Sequence, residues 1–205
     1  ALDALGEAAP AVAGRRCLDA GASTGGFTDV LLRRGAGHVV AVDVGYGQIA
    51  WRLREDPRVT VLERTNVRTL DPAAVAPAPG LVVGDLSFIS LTLVIPSLVR
   101  AAAAEADFLL LVKPQFEVGR ERLGAGGVVR DTRLHAETVM AVSACARSHG
   151  LDVLAAIASP LPGPAGNVEY FLHMRAGSGQ EPDGGLESAV RSAIATGPAG
   201  KEARK

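Results

Sequence analysis

Seven short apolar runs, rich in Val, Leu and Ile, punctuate this chain, and helical patterns fill most of the gaps between them. The runs are RRCLDA (15–20), HVVAVDV (38–44), VTVLER (59–64), GLVVGDL (80–86), DFLLLVK (107–113), DVLAAIA (152–158) and VEYFLHM (168–174). Unbroken apolar stretches, rather than strict in-out alternation, suit strands covered on both faces. Apolar residues at helical spacing occupy 24–35, 47–55, 90–105 and 132–149, with a short stretch near 72–77. Strand and helix alternate, so an α/β fold is predicted, a doubly wound parallel sheet with helices on both faces. The last two runs depart from that alternation. SPLPGPAGN (159–167) is too short and too rich in Pro and Gly for a crossover helix, so these strands are expected to be antiparallel neighbours.

The 205 residues are 48% hydrophobic, enough for one sizeable core. One domain is predicted over 1–175, then a flexible tail over 176–205 that carries a weak helical pattern at 186–195. A net charge of −1 argues against a purely electrostatic grip on nucleic acid by the chain as a whole. Cys17 and Cys145 are too few for a disulfide framework and read as buried thiols of a reducing cytoplasm. No secretory signal or run of membrane-spanning length is present, so membrane association is not expected. His38, His135, His149 and His173 lack ligand spacing, and no metal site is expected. The only lysines are Lys113, Lys201 and Lys205, which leaves Lys113 alone in the body of the domain.

Ligands of open parallel sheets bind beyond the carboxyl ends of the strands. CLDAGASTGGFTDVLL (17–32) has the outline of a strand, a tight turn and a helix start at that edge. Asp19, Gly21, Ala22, Ser23, Thr24, Gly25, Gly26 and Phe27 form the candidate ligand loop. A dinucleotide asks for G-x-G-x-x-G, but Ser23 stands two residues after Gly21. A nucleoside triphosphate asks for Gly-Lys-Ser/Thr, and this loop has no lysine. S-adenosylmethionine (SAM) carries no phosphate. It needs backbone and acidic groups around an amino-acid head and a carboxylate for its ribose hydroxyls. Asp43, followed by Val44, is the ribose candidate; Asn66, followed by Val67, is the adenine candidate; Asp85 is expected near the sulfonium. Each alone serves as well as a helix cap or turn residue. Four at four successive strand ends favour SAM.

Taken together, CLDAGASTGGF, VVAVDVGYGQ, RTNVR, DLSFIS, LVKPQFE and SPLPGPAGNVEYF resemble the TlyA (hemolysin A) family, in order over residues 1–175. The seven runs are similar in arrangement to the Rossmann-like sheet of class I SAM-dependent methyltransferases, strand order 3-2-1-4-5-7-6 with strand 7 antiparallel. The resemblance implies an FtsJ-like catalytic domain that methylates the ribose 2′-OH of cytidines in ribosomal RNA, with ribosomal RNA and ribosomal subunits as partners. It also implies a Lys-Asp-Lys-Glu tetrad, whose Asp falls on Asp85, second Lys on Lys113 and Glu on Glu169. The first Lys belongs on a helix before strand one, yet no lysine precedes Arg15. Either it lies ahead of the helix-like ALDALGEA, where the family's S4-type RNA-binding module is also expected, or the tetrad is incomplete.

The chemistry is consistent with those residue types. A ribose hydroxyl is a poor nucleophile until its proton is removed or steered away as the methyl group arrives. Lys113 ends an apolar strand that delivers its amine to the ligand edge, with Asp85 and Glu169 expected to orient it. A snorkelling lysine is the plain alternative, and Glu117 is a weaker competitor for the acid role. Arg120, Arg122, Arg130 and Arg133, in or just after VGRERLGAGGVVRD (118–131), are candidate phosphate contacts, as are Arg64 and Arg68. Each also suits ordinary surface charge. Phe116 reads as a core residue or a base-stacking platform. A rival enzyme, a base N-methyltransferase, usually carries Asn/Asp-Pro-Pro-Tyr/Phe after strand four, where this chain has Asp85-Leu86-Ser87-Phe88. A non-catalytic RNA-binding or hemolysin-like role is the other alternative, with no basic amphipathic helix to support membrane insertion.

Overall fold

All seven apolar runs form strands in a computed structural model that describes residues 1–163, 165–177 and 185–199. They are β1 (Arg16–Ala20), β2 (His38–Val42), β3 (Val59–Leu62), β4 (Leu81–Gly84), β5 (Asp107–Val112), β6 (Leu151–Ala158) and β7 (Tyr170–Ala176). They hydrogen-bond in the order β3-β2-β1-β4-β5-β7-β6, the order that the resemblance to class I methyltransferases implied. β2 and β4 flank β1 in parallel, β3 extends β2, and β5 extends β4. The Pro/Gly connection turns the last pair into antiparallel neighbours.

The helices within 24–35, 47–55, 90–105 and 132–149 are shorter than their apolar patterns, because local backbone chemistry limits where each can run. Seven form among the described residues: α1 (Leu2–Leu5), α2 (Gly26–Arg33), α3 (Trp51–Arg54), α4 (Ile95–Ala101), α5 (Pro114–Glu117), α6 (Thr132–Ser148) and α7 (Gly185–Thr196). α2 starts at Gly26 because its cap, Gly25, is left-handed at φ +96°. The stretch 90–105 divides into a 3-10 turn at Leu91–Leu93 and α4. Pro96 lies in the first turn of α4, where its missing N–H costs nothing. The short pattern near 72–77 is a 3-10 turn at Pro72–Val75, capped by Asp71. Asp131 caps α6 by accepting from the Arg133 N–H.

The chain divides into two compact units. One comprises Pro10–Leu86 and Leu93–Leu110. Its core contains Cys17, Leu18, Val39, Val40, Leu81, Val82, Phe108 and Leu110, all buried. Burying a Leu, Val or Phe side chain contributes about 1.5–3 kcal/mol each. Burial raises the Cys17 thiol pKa to about 11, so it packs as an uncharged group. Arg15 donates to Asp107 at 2.5 Å, pairing an acid that is almost fully buried.

The other unit comprises Ala1–Ala9, Ser87–Thr92 and Leu111 onward. Tyr170, Leu172 and Met174 of β7, Leu151 of β6, and Val139 and Val142 of α6 are all buried, where these three elements contact one another. His135 of α6 is buried too, its ring nitrogens within hydrogen-bonding distance of Tyr170 Oη (2.9 Å) and the Val129 carbonyl (2.8 Å). The weak helical pattern at 186–195 is α7, which buries Leu186, Val190, Ala193 and Ile194. The rest of the expected flexible tail falls partly on 178–184 and 200–205, outside the described residues.

Candidate active site

In the first unit, glycine and buried acid shape the carboxyl end of β1. Gly21 has φ +82°, and a Cβ there would stand 2.6 Å from the Asp85 carbonyl oxygen. A Cβ on Gly25 would collide with Leu53. Between these glycines, Ser23 takes a positive φ of 48° and donates its N–H to Asp43 Oδ2 at 2.8 Å. Asp43 Oδ1 accepts the Gly45 N–H at 2.7 Å, so two backbone amides fix this carboxylate. Each carboxylate oxygen can still accept a second donor. Thr24 ties the loop onward by accepting the Ala50 N–H (3.0 Å).

Asp19 lies beneath this loop with no exposed surface. Its Oδ2 accepts from the Thr28 hydroxyl at 2.7 Å, while its Oδ1 is buried with no hydrogen-bond partner among the described residues. Burial raises its pKa to about 6, the Thr28 hydrogen bonds oppose that shift, and the negative charges of Asp85 and Asp43 add to it. Asp43 and Asp85, from the ends of β2 and β4, are therefore both within electrostatic reach of Asp19.

The remaining expected residues of this unit divide into loop and core. Gly26 and Val44 are exposed and Phe27 is half-buried, whereas Ala22 is buried. Asn66 is exposed, with its side-chain oxygen capping the 3-10 turn Val67–Thr69 by accepting the Arg68 N–H (3.0 Å). Val67 turns inward and is buried, and its carbonyl accepts from the Ser97 hydroxyl (2.5 Å).

Side chains, rather than backbone, build the cluster of the second unit. Lys113 is the cap residue of α5, and its Nζ donates to Ser87 Oγ at 3.0 Å. The same amine lies 5.9 Å from the centroid of the Phe116 ring, at the outer limit of a cation–π contact. Phe88 stacks against Phe116 at 5.1 Å between centroids. It is 91% exposed and holds φ +64°, a strained backbone for a bulky side chain. Glu169 immediately precedes β7 and is buried at 6% exposure, accepting from Gln115 Nε2 at 2.9 Å. Glu117, the weaker competitor, instead accepts from Ser90 Oγ (2.5 Å) and the Leu91 N–H (2.8 Å), which fixes a turn. Burial raises its pKa against those bonds.

The expected arginines differ in how committed they are. Arg122 pairs with Glu137 (2.6 Å) and Arg133 with Asp131 (3.0 Å). Arg64 lies over the Tyr46 ring at 4.3 Å. Arg68, Arg120 and Arg130 are exposed. Asn167 straps the Gly/Arg-rich loop down, accepting the Val129 N–H (3.1 Å) and donating to the Gly127 carbonyl (2.9 Å). Sequence reasoning missed Thr28, Ser87, Phe88, Gln115, Gly163 and Asn167 as parts of these clusters. Most of their partners lie far away in sequence, and the φ of Phe88 leaves no trace in its identity.

Strand order and loop geometry together define a class I methyltransferase, and the FtsJ-like methyltransferase family matches residues 2–176. Over 196 residues the chain is 60% identical to the 16S/23S rRNA (cytidine-2'-O)-methyltransferase TlyA of Mycobacterium tuberculosis, covering 95% of this chain and 73% of that protein. A solved structure assigned as a hemolysin, from Streptococcus thermophilus, superposes with a TM-score of 0.90 at 37% identity, covering 98% of this chain and 72% of the other. An S-adenosylmethionine dependent methyltransferase from Mesorhizobium loti shares the fold, with a TM-score of 0.59 at 15% identity over 84% of this chain and 96% of that one. The chain belongs to the TlyA family. Among the described residues, no helix is long and apolar enough to cross a membrane.

Proposed function

We propose that this chain transfers a methyl group from SAM to the 2′-hydroxyl of a cytidine in ribosomal RNA. The observation that carries the reading is the Lys113 amine, held by Ser87 at 3.0 Å in a chain 60% identical to a cytidine 2′-O-methyltransferase. SAM supplies, when bound, a positively charged sulfonium whose methyl group is open to attack. The first unit fits such a ligand. Three carboxylates concentrate negative potential where a cation is to be held, and the orphan Asp19 Oδ1 deepens that field. Asp43, preset by the amides of Ser23 and Gly45, would accept the ribose hydroxyls. Asn66 would meet the adenine edge.

Lys113, with Asp85 and Glu169 as its orienting acids, would take or steer the 2′-OH proton while the hydroxyl oxygen is held in line with the methyl carbon. Orientation of this kind contributes up to about 7–11 kcal/mol to lowering a barrier. Phe88, exposed and strained beside the Ser87 partner of Lys113, offers a face on which an unstacked base can rest. Arg68, Arg120 and Arg130 would hold phosphates, positioning RNA without reading it.

The test is Lys113→Ala in the full-length protein, with SAM affinity and 2′-O-methylcytidine formation measured together. The expected result is unchanged SAM binding and methyl transfer lower by about 10²–10⁴-fold. Near-normal transfer would sink the proposal, and methyl label on the base rather than the sugar would support the N-methyltransferase rival.

A further inference from the structure

We infer that Gln115 and Gly163 are positioning residues for the Glu169 carboxylate, Gln115 by a hydrogen bond and Gly163 by the space it leaves. The inference rests on Glu169 acting with Lys113 in the proposed reaction. Gln115 lies in the first turn of α5, two residues after Lys113, and reaches 54 positions along the chain to Glu169 Oε1 at 2.9 Å. The orientation of this amide follows from its partner. A carboxylate only accepts, so the NH₂ must face Glu169. The carbonyl end, Oε1, is then buried with no hydrogen-bond partner among the described residues. A side chain placed for its own stability would turn that oxygen to water. Gln115 keeps it buried and commits its donor to the acid.

Gly163 provides the second observation. A Cβ built there would stand 2.8 Å from Glu169 Oε1 and 3.3 Å from its carboxyl carbon. Its φ lies outside the left-handed range, so the backbone accepts an alanine, and the nearest atoms that must yield belong to the Glu169 carboxyl group. Around them the turn is closed by the Gly163 N–H to the Asn167 carbonyl (2.8 Å) and by the Ser159 N–H to the Glu169 carbonyl (2.7 Å). Backbone bonds thus fix where Glu169 begins, and Gln115 and Gly163 fix where its carboxylate ends. Gln115 lies in VKPQFE, where the proposed reaction otherwise uses only Lys113, and Gly163 lies in SPLPGP, to which it assigns no residue.

Positioning residues act through the group they hold, so the test is a double-mutant cycle in the full-length protein with ribosomal subunits as substrate. Gln115→Leu and Gly163→Ala should each lower kcat by about 10- to 100-fold, as expected for a small misplacement of a reacting group, with KM for SAM and RNA unchanged. In a Glu169→Ala background neither should cost anything further, because the group they position is gone. Additive losses in that background would overturn the inference. So would wild-type kcat for both variants when Glu169→Ala alone is impaired. Wild-type kcat for Glu169→Ala would instead remove the underlying reading, a distinguishable failure. SAM affinity and melting temperature control for folding. If Gln115→Leu unfolds, the Gly163→Ala arm decides alone.

Discussion

The two units position their functional groups by opposite means. In the unit of Pro10–Leu86 and Leu93–Leu110, the backbone does the holding: Gly21, Gly25 and Ser23 adopt positive φ, and the amides of Ser23 and Gly45 grip Asp43. In the other unit, side chains do the holding across long separations, Lys113 on Ser87, Gln115 on Glu169, and Asn167 on the backbone of the loop at 127–129. The difference suits the two tasks proposed for them. A cofactor is a constant shape, which a backbone cradle can match without adjustable parts. Proton handling needs one amine and its acids held to within a fraction of an ångström, which only interlocked side chains supply.

Breaking the backbone side should disturb stability and SAM affinity together. Gly21→Ala puts a Cβ against the Asp85 carbonyl in a left-handed conformation and should cost about 2–4 kcal/mol. Chemical denaturation and SAM calorimetry would detect it, and an unchanged midpoint with full affinity would break the contrast.

Asp19 sharpens the contrast through pH. Its folded pKa of about 6 exceeds the ordinary 3.8, so between those values the folded chain holds more protons than the unfolded one. Stability therefore falls as pH rises through that window, by about 3 kcal/mol in total. Asp19→Asn keeps an acceptor for Thr28 and should abolish that slope, leaving the protein more stable than the parent at pH 7. Denaturation at pH 4.5 and pH 7 checks the sign.

On the side-chain half, Asn167→Ala removes two hydrogen bonds and strands a buried Val129 N–H, at a cost of about 2 kcal/mol. SAM binding should not move, and a parallel loss of affinity would blur the two modes. The smallest effect belongs to Arg133→Ala. Its pair with Asp131 is exposed, so stability should change by less than about 0.5 kcal/mol, within the error of a denaturation curve.

The strand count and the antiparallel ending were legible because unbroken apolar runs and a Pro/Gly connection are local signals, whereas the strand order came from the resemblance to class I methyltransferases. The helix limits were less so. The apolar pattern over 24–35 overshoots α2 at both ends because capping by Gly25, not hydrophobicity, sets the start. Asp43 and Lys113 were readable as candidates from their places at strand ends, and Glu169 only from the resemblance. The immersion of Asp19, the inward turn of Val67 and the pairing of Arg122 with Glu137 were not, since burial and partnership there depend on residues brought together only by folding.

What the sequence determined by itself was the alternating fold, the loop chemistry suited to a phosphate-free cofactor, and a single lysine at the end of a strand. Periodicity and turn residues act over a few positions, so they survive in one dimension. Tertiary structure alone decided which amide grips Glu169, which glycine makes room for it, and which acid remains buried and half-satisfied. Those outcomes follow from packing between segments that meet only when the chain has folded.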